Sequence, residues 1–145
     1  MNLWPFSKPA SLVTPWVITA DSVLPIDQLP EAISLQLDSA RLIIPRQYLF
    51  YLYVPLDNVP KALRASLIRQ RVQQASPFAN PGSWIIQEEH AAQIWFWDSG
   101  LIARYRTDNP ALPQSILPET LLRKPRENGF YLQPCLKGWD AQFWS

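Results

Sequence analysis

The chain has 145 residues, 48% of them hydrophobic and 17% charged, which excludes the low-hydropathy, high-charge composition of disordered segments and suits one core. Thirteen basic residues against twelve acidic ones leave a formal net charge of +1, so no global field draws nucleic acid or an anionic bilayer. One cysteine, Cys135, and one histidine, His90, exclude an intramolecular disulfide and are too few soft ligands for a zinc site; a reducing compartment is expected.

The amino terminus has no secretory pattern, because Lys8 follows the first apolar residues and Pro5, Pro9 and Pro15 interrupt any apolar run. Nowhere do about 18 apolar residues follow one another, the length a membrane-spanning helix needs. Fifteen prolines and only four glycines imply short elements separated by proline-set turns. Trp16 to Ala20 is a short apolar run, and Ile33, Leu35 and Leu37 alternate with polar residues as in a half-buried strand. Arg41 to Ile44 ends at Pro45. The run Tyr48 to Val54 is continuously aromatic and aliphatic, which predicts a central strand covered on both faces.

Asp57 or Asn58 before Val59-Pro60 predicts a helix start, with an oxygen-bearing cap ahead of a proline in the first turn. Lys61 to Ala75 then reads as the main helix, with Leu63, Leu67, Ile68, Val72 and Ala75 as its apolar stripe and Ser76-Pro77 as its stop. Leu63, Leu67 and Val72 are expected to pack on the Tyr48 to Val54 strand. Trp84 to Gln87 and Ala92 to Trp97 read as an antiparallel pair around Glu88-Glu89-His90, and Leu101 to Arg106 as a further strand after an Asp98-Ser99-Gly100 turn. Prolines 110, 113, 118 and 125 leave room for one short helical turn near Pro118 to Leu122, ahead of strands at Phe130 to Leu136 and Trp139 to Trp144. The expected class is α+β: one domain over 1–145, with a mixed, mostly antiparallel sheet and one main helix. Ala92-Gln-Ile-Trp95 also recurs as Ala141-Gln-Phe-Trp144, which reads as a repeat whose second copy stops at Ser145 within a longer parent protein.

Residues suited to catalysis are not brought together by this pattern. Phosphate cradles need clustered glycines, and here none stand close together. His90 lies in a Glu-Glu-His turn without a glycine elbow, and Glu88 and Glu89, being adjacent, would point to opposite faces of a strand; all three read as a solvated hairpin tip. No catalytic residue, cofactor or metal ligand is therefore assigned. Trp95, Trp97, Trp139 and Trp144 suit a core or a protein interface, with a stacking platform for carbohydrate or nucleic acid as the alternative. Lys61, Arg64 and Arg71 fall within roughly a quarter turn of one another on the helix and form the candidate docking site for an acidic partner.

The runs Arg41-Leu-Ile-Ile-Pro45, Leu49-Phe-Tyr-Leu-Tyr-Val-Pro55-Leu, Leu63-Arg-Ala-Ser-Leu-Ile-Arg-Gln-Arg-Val72 and Ala75-Ser-Pro-Phe78 resemble the cytoplasmic region of GspL-like proteins of type II secretion systems and their PilM and PilN relatives of type IV pili. The resemblance covers roughly residues 41 to 145. It implies an actin-like or ribonuclease-H-like module, of which this chain would be half, on the cytoplasmic face of the bacterial inner membrane. A transmembrane segment outside this chain would anchor the module. The implied role is a non-catalytic scaffold whose partners are other secretion or pilus assembly proteins, the assembly ATPase among them, and further copies of itself. The glycine-rich phosphate loops of actin-like ATPases have no counterpart here, in keeping with a scaffold that binds no nucleotide.

Overall fold

The computed structural model describes residues 15–19, 22–25, 41–122 and 127–144. The strand expected around Ile33 to Leu37 lies outside them. Among the described residues, nine strands and two α-helices run in the order β1 (Trp16–Ile18), β2 (Val23–Pro25), β3 (Leu42–Ile44), β4 (Phe50–Pro55), α1 (Lys61–Ala75), β5 (Pro81–Gln87), β6 (Ala91–Asp98), α2 (Ser99–Asp108), β7 (Ile116–Pro118), β8 (Gly129–Pro134) and β9 (Trp139–Trp144). The fold is α+β with mostly antiparallel pairing, divided among three sheets ordered β2-β1-β3-β7, β4-β6-β5 and β8-β9.

β3 lies inside the first sheet, parallel to both β1 and β7, and all three of its residues are buried. A short continuous Leu-Ile-Ile run suits such a site, because parallel strands are covered on both faces. β7, ending in Pro118, occupies the outer position, where a missing N–H breaks no ladder.

In the second sheet the central strand is β6, not the aromatic run at Tyr48 to Val54. β4 is an edge strand, and its Phe50, Tyr51 and Tyr53 are substantially exposed, whereas β6 buries Ala91, Ala92 and the whole of Ile94 to Trp97. Hydrophobicity alone does not separate the two positions. The β5–β6 hairpin closes at the expected Glu88-Glu89-His90 tip, with Trp84 opposite Trp95 and Gln87 opposite Ala92, and this leaves β4 to add on the outside of β6.

α1 has the predicted bounds, but not the predicted cap or stripe. Pro60 stands at its N-cap without a side-chain capping bond, while Leu56 to Val59 make a turn closed by Val59 N–H to Leu56 O at 3.1 Å, with Asn58 at φ 62°. Asparagine tolerates that left-handed conformation, which is why it serves the turn. Ser76, extended before Pro77, ends the helix. Ile68 and Val72 are buried against Val54, Leu56, Ala92, Ile94 and Phe96, with Leu67 and Leu52 at the margin. Leu63 and Ala75 face solvent. Of the contacts expected on the aromatic strand, Val72 is therefore fully buried, Leu67 is partial and Leu63 is absent.

The segment Leu101 to Arg106 is helical, contrary to the strand expected there. Asp98 caps α2 by accepting Gly100 N–H at 2.8 Å, and Leu101, Ile102 and Tyr105, at helical spacing, enter the second core. That core joins Ile18, Leu42 and Ile44 of the first sheet to Trp97 of the second. β6 thus serves both cores, Ile94 and Phe96 toward α1 and Trp97 toward the first sheet. The short turn expected near Pro118 to Leu122 is present as a 3-10 turn at Glu119–Leu121.

Candidate functional site: a cleft between two strand edges

Register determines which groups of β4 are left without partners among the described residues. Leu56 N–H bonds His90 O at 2.7 Å, so in the β4–β6 ladder Val54, Leu52 and Phe50 fall at the hydrogen-bonded pairs. By the alternation of an antiparallel ladder, Tyr51 and Tyr53 aim their N–H and C=O groups away from β6, toward the free edge. In β9, the bond from Cys135 N–H to Gly138 O at 2.9 Å sets the same alternation, turning the backbone of Ala141 and Phe143 away from β8.

Both strands line one cleft of about 780 Å³, within the size range of ligand sites. Leu49, Phe50, Tyr51 and Tyr53 contribute from one side, Asp140 to Trp144 from the other, and Gln93 and Trp95 of β6 lie between. Tyr51, Tyr53, Gln93 and Trp95 share the sheet face opposite α1, since cross-strand partners point the same way. The rings of Tyr51 and Trp95 are 5.3 Å apart at 55°, and Tyr51 Oη donates to Gln93 Oε1 at 3.4 Å. Burial, then the neighbouring Tyr53 and Glu88, raises the pKa of the Tyr51 phenol above its ordinary value.

The far wall is held in place by polar groups. Arg46 Nε meets Asp140 Oδ1 at 3.2 Å, and Gln142 Nε2 donates to Thr120 O at 2.6 Å and to Asp140 Oδ2 at 2.7 Å. Trp144 Nε1 donates to Gln142 Oε1 at 2.9 Å. Beneath them the buried Glu119 accepts Arg46 N–H at 2.8 Å and Leu136 N–H at 2.6 Å, tying the β8–β9 hairpin to the body.

The helix cations do not form one free surface. Lys61 and Arg71 are exposed, but Arg64 donates to Val59 O at 3.1 Å and to Glu89 O at 2.9 Å, bracing the turn before α1 against the hairpin tip. It lies one helical turn before the buried Ile68, hence on the sheet-facing side of α1. His90 is exposed, with Nδ1 3.0 Å from Asp57 Oδ1. Among the described residues no group of three or more His, Cys, Asp or Glu side chains could hold a metal ion, and no helix is long and apolar enough to cross a membrane.

The tryptophans separate. Trp97 is core, Trp139 is exposed on the hairpin, and Trp95 and Trp144 line the cleft. Reading the aromatic run as a single buried unit hides the site. Within it the purely apolar Phe50, Leu52 and Val54 alternate with the hydroxyl-bearing Tyr51 and Tyr53, a period-two signal for one wet face. Compared with protein-family models, curated proteins and solved structures, the chain matches none.

Proposed function

We propose that this protein is a non-catalytic interaction module that takes up an extended segment of a partner protein by strand addition at the edge of β4. The observation that carries the reading is the outward-facing backbone of Tyr51 and Tyr53, which opens on a cleft whose opposite wall, β9, also presents an edge unpaired among the described residues. Strand addition draws affinity from such main-chain groups and specificity from side-chain pockets on alternate residues, here between Tyr51, Tyr53, Trp95 and Trp144. The resemblance to GspL-like and PilM/PilN-like proteins supports placing the partner among secretion or pilus assembly proteins at the cytoplasmic face of the inner membrane. Lys61 and Arg71 would then serve as secondary contacts for an acidic surface beside α1.

Tyr53→Pro tests this reading, because it removes an N–H that points away from β6, and proline is tolerated on the open side of an edge strand. In affinity capture from the native host, the wild-type domain and Tyr53→Phe should retain an assembly component that Tyr53→Pro loses. Capture indifferent to Tyr53→Pro, or no assembly component at all, removes the proposal. A second reading, an oligosaccharide stacked on the cleft tryptophans, is favoured by the placement of Trp95 and Trp144 together. A saturable change in tryptophan emission on titration with oligosaccharide, absent with peptide, would favour it instead.

A further inference from the structure

The β8–β9 hairpin turns its hydrophobic side outward. Its cross-strand pairs divide in two: Phe130 with Phe143, Leu132 with Ala141 and Pro134 with Trp139 share one face, while Gly129 with Trp144, Tyr131 with Gln142 and Gln133 with Asp140 share the other. The polar face is the inward one, bonded through Gln142 and Asp140 to Thr120 and Arg46. Every residue of the apolar face is exposed, Phe130 at 66%, Leu132 at 64%, Trp139 at 64% and Phe143 at 72%. A two-stranded hairpin is at best marginal by itself and gains stability when its hydrophobic face is covered by another layer.

We infer that this face docks on the same face of a second copy of the chain, the two hairpins stacking as a small β-sandwich about a twofold axis. Area is the first argument. At ~150–250 Å² per aromatic side chain, the four large residues expose roughly 500 Å², and two such faces together remove about 1,000 Å², the size at which contacts become specific. Composition is the second. The face bears no charged side chain and only one polar group, the indole N–H of Trp139, so a polar or charged partner surface would lose water with little compensation, whereas an identical face loses little that is polar. Shape is the third: Ala141 sits between Trp139 and Phe143 on one strand and leaves a notch flanked by two rings, which an aromatic ring of the copy fills under twofold symmetry. Ala141 and Phe143 also line the cleft, whereas Leu132 and Trp139 do not, so substitutions at Leu132 and Trp139 test this association without touching the cleft where strand addition at β4 is proposed.

Sedimentation equilibrium of the full chain, over about 1 to 100 µM, tests the inference. Wild type should approach twice the chain mass with rising concentration. Leu132→Lys on β8 and Trp139→Gln on β9 should each weaken association at least tenfold while retaining the wild-type circular dichroism. Either variant suffices, since both positions are solvent-facing in the isolated chain. A wild-type chain that stays monomeric throughout overturns the inference, as does a dimer that a correctly folded variant leaves unchanged.

Discussion

Arg46 and Asp140, 94 residues apart in the chain, meet at 3.2 Å beside the cleft and join the segment before β4 to the β8–β9 hairpin. The pair is half open to water on the arginine side, so its Coulomb attraction is heavily screened. The same two segments are joined more deeply by Glu119, which accepts both Arg46 N–H and Leu136 N–H. Arg46→Ala is therefore expected to cost less than ~1 kcal/mol, and Glu119→Ala, which strands two part-buried backbone donors, about 1–3 kcal/mol. Urea denaturation of the two variants gives the ranking. The reverse order would mean that the hairpin is held by the ion pair.

Arg64 is assigned a bracing role by its bonds to Val59 O and Glu89 O. Arg64→Ala should destabilise by about 1–2 kcal/mol, and Arg64→Lys should recover only part of this, because a single ammonium cannot reproduce the planar fork. Charge reversal at the exposed Arg71 should leave stability within ~0.5 kcal/mol. Equal midpoints for all three variants would return Arg64 to the solvent-facing side of the helix.

The central position of β6 sets the cost of core substitutions. Ile94→Ala, at a fully buried side chain, should lose about 2–5 kcal/mol, whereas Leu63→Ala, at a side chain 56% exposed, should stay within ~0.5 kcal/mol. Gly82 lies against the buried Trp97, and a Cβ there would stand 2.6 Å from Trp97 Cε2. Gly82→Ala should cost about 1–3 kcal/mol by overpacking. Thermal or chemical unfolding that leaves Gly82→Ala unaffected would show that the Trp97 ring moves freely.

Tyr51 gives the cleft a pH signature. The folded protein raises its phenol above 10.0, through burial first and then Tyr53 and Glu88, so folding favours the neutral form. Its contribution is fully present below pH 10.0 and is lost as pH rises through the higher folded value, because the unfolded chain ionises first. In a spectrophotometric titration, Tyr51→Phe should delete a late-ionising phenol and lessen the alkaline loss of stability. A strand seated in the cleft should delay that ionisation further by burying the ring.

Periodicity and punctuation determined much of this protein locally. The bounds of α1, the β5–β6 hairpin, the two terminal strands and the α+β class follow from residue spacing, Ser76-Pro77 and the polar tip at Glu88-Glu89-His90. Leu101 to Arg106 reads as a strand from local sequence, yet the cap from Asp98 and the burial of Ile102 make it a helix. Tertiary structure alone decided position and orientation. Two strands as hydrophobic as β4 and β6 compete for one central place, and the tight β5–β6 hairpin gives it to β6, which leaves Tyr51 and Tyr53 on an open edge. Likewise the alternation of β8 and β9 is plain in the sequence, but the direction of its apolar side is not. Arg46, Glu119 and Thr120, distant in the chain, supply partners for the hairpin's polar face and backbone, and the cost of leaving those groups unbonded turns Phe130, Leu132, Trp139 and Phe143 toward solvent.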